Sequence, residues 1–265
     1  ADRRAQGDTR RMIVLFTDFG LDGPYVGQMK AVLHREAPGV PVVDLFADAP
    51  MFDPRRSAYL LSAYAVEFPP PVVFLAIVDP GVGGDRRPVV VEADGRRFVG
   101  PDNGLFELVW RRARDRHVRL IDWRPERLSA SFHGRDLFAP VAARLASGSP
   151  VATTPGHGLT NTAADWPDDL AEIVYLDHYG NAMTGLRAAT LGAGTGLDVG
   201  GRYLARQRTF SDAAPGQAFW YENANGLAEI SVNRGRADRD LGLSVGSAVV
   251  VIGNQACGNA RRGAE

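Results

Sequence analysis

An α/β domain with a mainly parallel central sheet, followed by a small antiparallel β-barrel domain, is the fold that the sequence predicts. In the first half of the chain, apolar runs alternate with amphipathic helical patterns, which is typical of a parallel sheet. The run 72–78 is apolar throughout, as in a strand that is buried on both faces. Beyond about residue 170, short strand-like runs recur between turn signals without amphipathic helices, which indicates an antiparallel β domain.

Periodicity and turn residues predict the individual elements. In the first domain, strands are expected at 12–16, 42–46, 72–78 and 117–121, a hairpin at 88–99, and helices after Pro24, at 54–67, at 105–113 and up to 147. In the second domain, strands are expected at 172–177, 202–209, 218–222, 227–232 and 247–252. The predicted boundaries are a flexible arm at 1–11, the α/β domain at 12–150, a linker at 151–170, the β domain at 171–254 and a flexible tail at 255–265.

The composition argues against several classes of protein. The chain has 265 residues, 45% of them hydrophobic, and a net charge of -1, so no basic field indicates a nucleic-acid partner. The single cysteine, Cys257, excludes an internal disulfide, and no Cys/His cluster suggests zinc. No apolar stretch approaches the ~20 residues of a membrane span, and the start has no apolar signal core. We therefore expect a cytoplasmic protein that binds neither metal nor membrane.

Two predicted strands end in a carboxylate. Asp18 follows the strand at 12–16, and Asp79 follows the apolar run 72–78. Open α/β sheets bind ligands at the carboxyl ends of their strands. Arg86 and Arg87 return positive charge to the loop after Asp79. Position alone supports two readings of Asp79 equally, a ligand contact or a buried carboxylate that satisfies the amides of the turn.

Two other turns carry polar side chains that could act in a site. Asp102 and Asn103 open a predicted helix, where capping is the favoured role and ligand contact the alternative. His133 stands in a loop before another helix, where a structural role is commoner than a catalytic one. The loops GxxxxGK[ST] and GxGxxG, which bind nucleotide phosphates, are absent from the sequence.

Six motifs together resemble one family, the S-adenosylmethionine hydroxide adenosyltransferases, which are adenosine-forming hydrolases related to fluorinase and chlorinase. The motifs are TDFG (17–20), VDPGVG (78–83) with the arginines after it, GPDNGL (100–105), FHGRDLFAP (132–140), DHYGN (177–181) and NANGLAEISVNRGRA (223–237). Each motif alone would be common, but six in this order are specific. The resemblance implies an N-terminal α/β domain and a C-terminal β-barrel. It also implies a homotrimer with each active site between two subunits.

The resemblance implies a catalytic triad of Asp79, Arg86 and His133. Halogenases of this kind have Tyr in the place of Asp79, and the fluorinase has Tyr and Ser in the places of His133 and Gly134. These positions therefore favour hydrolysis of S-adenosylmethionine to adenosine and methionine, with no cofactor, by water or hydroxide attack at the ribose C5′ atom. The alternatives are transfer of halide, such as chloride, and a non-catalytic protein that binds S-adenosylmethionine or adenosine.

The resemblance also implies the substrate contacts. Asp18 would hold the ribose hydroxyls, Asp177 the methionine ammonium and Asn181 the adenine, although an ordinary Asx turn is the alternative for the latter two. The remaining implied contacts are Tyr25, Gly134, Phe210 as a ring stacked on adenine, Ala237 through its backbone, and Asn225. Ala224 and Asn225 replace the Ser-Arg pair that holds the methionine carboxylate in the fluorinase, so a charge-assisted bond is missing here.

The same residues suggest a division of labour in the chemistry. A guanidinium beside a water molecule favours the hydroxide form, so Arg86 is expected to stabilise the nucleophile. Asp79 and His133 are expected to orient it, and one of them to take its proton. The sequence leaves open which of the two does so.

Overall fold

The computed structural model describes residues 11–160 and 163–253. The chain divides between Trp166 and Pro167 into two compact units, named here the N-terminal unit and the C-terminal unit. Of the predicted arm at 1–11 only Arg11 is described, and the predicted tail at 255–265 lies outside the described residues. Among the described residues, no helix is long and apolar enough to cross a membrane.

A mixed sheet forms the N-terminal unit. Its strands are β1 (Met12–Thr17), β2 (Val42–Phe46), β3 (Val72–Ile77), β4 (Pro88–Ala93), β5 (Arg96–Pro101), β6 (Arg116–Ile121) and β7 (Thr153–Gly156). They lie in the order β2-β1-β3-β5-β4-β6-β7, and β7 falls within the range that the sequence predicts as a linker. The strands β2, β1, β3 and β5 are parallel, and β4, β6 and β7 are added by antiparallel pairing. Because β6 is antiparallel to β4, and β4 is antiparallel to β5, β6 has the same direction as β5. Five of the seven strands therefore point the same way, and the mainly parallel sheet is confirmed.

Helices cover this sheet where the apolar periodicity predicts them. They are α1 (Tyr25–Glu36), α2 (Pro54–Tyr64), α3 (Glu107–Arg112) and α4 (Ala139–Ser147), with one π-helical turn (Gly134–Phe138) leading into α4. Helix α1 buries Met29, Val32 and Leu33. Every residue of β3 is buried, as expected for a central strand that is covered on both faces. The strand that carries the polar loop is therefore held from both sides.

Two antiparallel sheets form the C-terminal unit. One has the order β11-β10-β14 and the other β12-β13-β9-β8. The strands are β8 (Leu170–Leu176), β9 (Ala182–Arg187), β10 (Gly196–Val199), β11 (Arg202–Leu204), β12 (Ala218–Glu222), β13 (Leu227–Val232) and β14 (Val250–Ile252), with a short helix α5 (Ala237–Asp240). The antiparallel prediction is confirmed.

The predicted closed barrel is not found among the described residues of this unit. A barrel needs continuous ladders of hydrogen bonds around its whole circumference. Here the described residues show no continuous ladder between the two sheets, but isolated bridges, Glu172 with Ala248 and Arg206 with Trp220, and a few backbone hydrogen bonds beside them. The correct description is therefore two open sheets.

The sequence pattern does not predict β9, which lies inside the larger sheet. Its sequence, AMTGLR, lacks the β-branched alternation on which the prediction depends. Gly185 interrupts it because β8 passes so close that a Cβ atom there would lie 2.6 Å from Leu170 Cβ. Packing between neighbouring strands, and not intrinsic strand propensity, explains this element.

Candidate active site

Three side chains from two loops of the N-terminal unit meet beyond the carboxyl end of β3. Arg86 Nε donates to both carboxylate oxygens of Asp79 at 3.0 Å, and Arg86 Nη2 donates to Oδ2 at 2.5 Å. The same Nη2 atom lies 2.9 Å from Nδ1 of His133. The side chains of Asp79 and Arg86 are only 5% and 11% exposed. The structure thus brings the predicted triad together in a largely buried position.

The contact between Arg86 and His133 fixes the hydrogen positions on the imidazole. A guanidinium nitrogen can only donate, so Nδ1 of His133 is the acceptor. In the neutral ring the hydrogen is then carried by Nε2. His133 can therefore donate a hydrogen bond from Nε2 to an oxygen atom, but it cannot accept one there.

The environment favours this neutral form of His133. Burial lowers the pKa of its imidazole below the ordinary value, and the positive charge of Arg86 lowers the pKa further. Asp79 and Asp136 act in the opposite direction but are outweighed. The guanidinium is held from another side by Phe138, whose ring centre is 5.8 Å from the Arg86 Cζ atom.

A cavity of about 410 Å³ opens beside Asp79 and His133. Its volume is within the usual range of small-molecule sites. Aromatic and aliphatic side chains form most of its wall, with a few convergent polar groups. The lining residues are Asp18, Phe19, Gly20, Tyr25, Met51, Phe52, Ile77, Asp79, Val82, Ser131, Phe132, His133 and Gly134. Three predicted substrate contacts, Asp18, Tyr25 and Gly134, therefore line the same cavity as Asp79 and His133.

Asp18 presents its carboxylate to the cavity from the end of β1. Its Oδ2 atom accepts a hydrogen bond of 2.9 Å from the backbone N–H of Phe52. Burial raises the pKa of Asp18, and the negative charge of Asp79 adds to this effect, while the bond from Phe52 opposes it. Phe52 itself has a φ of 58°, which is uncommon for a residue other than glycine. The bond to Asp18 holds this strained turn at the cavity wall.

Gly134 is tightly enclosed. A Cβ atom at this position would lie 3.1 Å from Met29 Sδ, 3.2 Å from Ile77 Cδ1 and 3.3 Å from Phe132 Cε2. A larger residue would therefore require its neighbours to shift. Tyr25, the second predicted contact, packs its ring 5.4 Å from that of Phe132, nearly perpendicular to it. The loop that carries His133 is thus packed against the start of α1.

Sequence reasoning does not identify Met51, Phe52 or Ser131 as parts of the cavity wall. Met51 and Phe52 are 68% and 69% exposed, although both are large and apolar. No periodicity marks them, because they lie in the turn between β2 and α2. Exposed apolar side chains beside a pocket are a signal of binding that only coordinates reveal.

The other predicted contacts belong to the C-terminal unit. The Asp177 carboxylate accepts hydrogen bonds from the backbone N–H of Asn181 at 2.8 Å and from its side-chain amide at 2.9 Å. These bonds close the turn 177–181, but they reach the fourth residue on. An Asx turn, the alternative role that the sequence offers, would join the carboxylate to the N–H two residues on. Both side chains also retain unused hydrogen-bonding capacity. The turn geometry therefore does not exclude ligand contact.

Glu229 is a buried carboxylate that sequence reasoning does not single out. It is 2% exposed, on β13, and accepts hydrogen bonds from Tyr221 Oη at 2.6 Å and from Asn223 Nδ2 at 2.9 Å. Burial raises its pKa, and the negative charge of Asp177 adds to this effect. Tyr221 packs in turn against Phe210, with ring centres 5.3 Å apart.

This network reaches two of the predicted contacts. Phe210 is ordered by Tyr221, and the N–H of Asn225 donates to Asn223 Oδ1 at 3.0 Å. Ala237 is fully buried at the start of α5. Its carbonyl oxygen accepts from the N–H of Leu241 at 3.1 Å. The backbone contact with the ligand that the resemblance implies for Ala237 stays a prediction. Among the described residues, no group of three or more His, Cys, Asp or Glu side chains could hold a metal ion.

Comparison with known proteins identifies the family. Residues 13–154 match the model of the SAM hydroxide adenosyltransferase N-terminal domain, and residues 171–250 match that of the C-terminal domain. The chain belongs to the SAM hydroxide adenosyltransferase family. The predicted resemblance is thereby confirmed.

Individual SAM hydroxide adenosyltransferase relatives support this assignment. The chain is 41% identical over 260 residues to an (R)-S-adenosyl-L-methionine hydrolase of Thermus thermophilus, covering 91% of this chain and 100% of the relative. It is 38% identical to a hydrolase of the same name from Salinispora arenicola, and the match covers 87% of this chain and 93% of the relative. A fluorinase of Actinopolyspora mzabensis is more distant, at 26% identity, and the match covers 92% of this chain and 97% of the fluorinase. A crystal structure of a conserved Thermotoga maritima protein superposes with a TM-score of 0.82 at 29% identity. The superposition covers 91% of this chain and 99% of that protein.

Proposed function

We propose that this chain hydrolyses S-adenosyl-L-methionine to adenosine and L-methionine. The observation that carries the proposal is the convergence of Asp79, Arg86 and His133, because Asp79 and His133 line the cavity that Asp18 also lines. The relatives named as hydrolases specify the (R) configuration, so we propose that the (R) epimer at sulfur is the substrate. The reaction needs no cofactor, because the sulfonium already makes methionine a good leaving group.

The proposed reaction is a displacement at C5′ of the ribose. The oxygen of water forms a bond to C5′ while the C5′–S bond breaks. The electron pair of the C5′–S bond stays on sulfur, which gives the neutral thioether of methionine. One proton is released from the attacking water. A buried site assists because the negative charge that develops on the deprotonating water and the positive charge of the sulfonium neutralise each other in the transition state. Alignment of the attacking atom within ~3–3.5 Å of carbon lowers the barrier further.

Asp79 is proposed as the group that orients the water and takes its proton. Its Oδ1 atom accepts only one of the three hydrogen bonds from Arg86, so a lone pair remains for water. The neutral His133 ring has its acceptor nitrogen occupied by Arg86, so its role is donation from Nε2 to the forming hydroxide. Arg86 lowers the free energy of that anion through its charge.

Substrate binding is proposed to use the contacts implied by the family. Asp18 accepts both ribose hydroxyls, which suits a carboxylate because its two oxygens can accept about four hydrogen bonds. Tyr25 and Gly134 border the same cavity, while Asp177, Asn181, Phe210, Asn225 and Ala237 would contact methionine and adenine. A homotrimer with active sites at subunit interfaces is part of this proposal, as is a cytoplasmic location. Support for an interface comes from the exposed Leu21, Met51 and Phe52, of which the last two border the cavity.

Product analysis in oxygen-18-labelled water tests the proposed function. The purified protein is incubated with separated (R) and (S) epimers, with and without chloride. We expect labelled oxygen in the 5′-hydroxyl of adenosine, unlabelled methionine, and faster turnover of the (R) epimer. The His133→Ala variant serves as the control for contaminating activity. The proposal is wrong if 5′-chloro-5′-deoxyadenosine is the main product, or if substrate is bound but recovered unchanged.

A further inference from the structure

The loop 79–86 carries two of the three converging side chains but has little internal structure. Only two backbone hydrogen bonds within it are found among the described residues, from Val82 to Asp79 at 3.2 Å and from Gly84 to Gly81 at 3.0 Å. Three of its eight residues are glycines. Such a segment has high conformational entropy when unrestrained. Something outside the loop must therefore keep Asp79 and Arg86 within hydrogen-bond distance.

The start of the loop is held by Asn103. The side-chain amide of Asn103 donates from Nδ2 to the carbonyl oxygen of Val78 at 2.8 Å. Its Oδ1 atom accepts from the N–H of Leu105 at 3.3 Å, which fixes the orientation of the amide. Val78 is fully buried and directly precedes Asp79. Asn103 therefore determines the position of the last peptide before the carboxylate.

The end of the loop is held by the neighbouring residue, Asp102. Its backbone N–H donates to the carbonyl of Arg87 at 2.9 Å, and its carboxylate accepts from Nε of Arg87 at 2.9 Å and also from Nη2. The Asp102 side chain is 1% exposed. It is fixed from the other side by Thr160, whose hydroxyl donates to Oδ2 at 2.7 Å. Arg87 directly follows Arg86, so these bonds restrain the backbone from which the Arg86 side chain extends.

These contacts replace the capping role that the sequence favours for the two residues. Helix α3 begins only at Glu107, after Phe106, and no side chain of the described residues caps it. Asp102 and Asn103 instead follow β5 directly, and β5 is paired in parallel with β3. The two strands approach so closely that a Cβ atom on Gly100 would lie 2.1 Å from the Ala76 carbonyl oxygen. A rigid neighbouring strand thus carries both restraints.

We propose that Asp102 and Asn103 are positioning residues, which together hold the two ends of loop 79–86 and keep Asp79 and Arg86 in register with His133. This inference rests on the proposed hydrolysis for its kinetic test only. The reason for such a device is geometric, because displacement of a reacting group by ~1 Å can cost about 10²-fold in rate. Substrate contacts such as Asp18 are on a different strand and should be unaffected.

The test compares Asn103→Ala and Asp102→Asn with a matched control, Asp94→Ala. Asp94 also orders a turn through its carboxylate, accepting from the N–H groups of Arg114 and Asp115 at 3.0 Å, but it lies beyond the opposite end of β5. Circular dichroism and thermal unfolding establish that each variant is folded. If loss of the buried Asp102 charge prevents folding of Asp102→Asn, the Asn103→Ala variant still tests the proposal.

We expect kcat to fall about 10-fold or more in both positioning variants, while KM and the Kd for adenosine remain within about 3-fold. We also expect the pKa of His133, followed by NMR, to rise in these variants because Arg86 moves away from Nδ1. The proposal is overturned if kcat matches that of the Asp94→Ala control, or if kcat falls with no change in the His133 titration. The NMR titration needs no turnover, so failure of the proposed hydrolysis would be recognised separately from failure of this inference.

Discussion

Arg86 donates from Nη2 to Nδ1 of His133 across 2.9 Å while the same nitrogen binds Asp79. One cation is thereby shared between a carboxylate and an imidazole that belong to different loops. This arrangement assigns distinct chemical properties to the three groups. The carboxylate retains acceptor capacity, the imidazole can donate from Nε2, and the guanidinium supplies positive charge without losing a proton.

Replacement of Arg86 or of Asp18 should have different kinetic consequences. Arg86→Ala is expected to lower kcat by about 10²-fold or more with substrate still bound, since it removes a charge that acts on the forming hydroxide. Asp18→Ala is expected to raise the substrate Kd by about 10²-fold, because two hydrogen bonds to a carboxylate are lost. Steady-state kinetics and calorimetry of substrate binding distinguish the two. Equal losses of binding and turnover in both variants would contradict these roles.

The decline of kcat on the acid side of its pH profile should occur below the ordinary pKa of histidine, which is about 6.5. Burial and Arg86 lower the pKa of His133, so the ring stays neutral as the pH falls through that value. Protonation at Nδ1 would break the bond with Arg86, so kcat should decline only at lower pH. NMR titration of the His133 ring checks the value directly, and Arg86→Gln should move its pKa upward. A His133 pKa above 6.5 in the unmodified protein would refute this expectation.

Substitution of Gly134 by Ala should destabilise the N-terminal unit by about 1–3 kcal/mol, because the added methyl group is too close to three neighbours. Gly27→Ala is the matched control. Gly27 is an exposed glycine within α1, and an added Cβ would meet no atom of the described residues within 4 Å. Denaturant unfolding of both variants measures the difference. An unchanged stability of Gly134→Ala would show that the surrounding side chains move freely, contrary to the packing described.

Stability should also depend on the ionisation of Glu229. Burial raises its pKa in the folded chain, so the fold binds this proton more tightly than the unfolded chain does. The resulting stabilisation is complete below the ordinary carboxyl pKa and is lost as the pH rises through the raised value. Relative to Glu229→Gln, which cannot titrate, the unmodified protein should therefore lose unfolding free energy between acidic and neutral pH. A difference between the two proteins that stays constant with pH would contradict this expectation.

Local patterns in the sequence account for much of the N-terminal unit. The apolar run that forms β3 and the period of α1 are properties of neighbouring residues, and the structure has both elements. Motif order identifies the family, and residue types at Asp79, Arg86 and His133 define the candidate chemistry. The C-terminal strand β9 follows from none of these patterns, because contact with Leu170 of β8 requires the glycine at position 185.

Only the tertiary structure decides which loops meet. The hairpin of β4 and β5 could pair with β3 through either strand, and periodicity is the same in both cases. In the fold, β5 is the partner of β3, and this choice carries Asp102 and Asn103 to the two ends of loop 79–86. The contact between Arg86 and His133 likewise joins residues 47 positions apart. The sequence by itself determined the elements and the chemical groups, whereas strand order and packing between distant segments decided their arrangement, because those depend on contacts that no local pattern encodes.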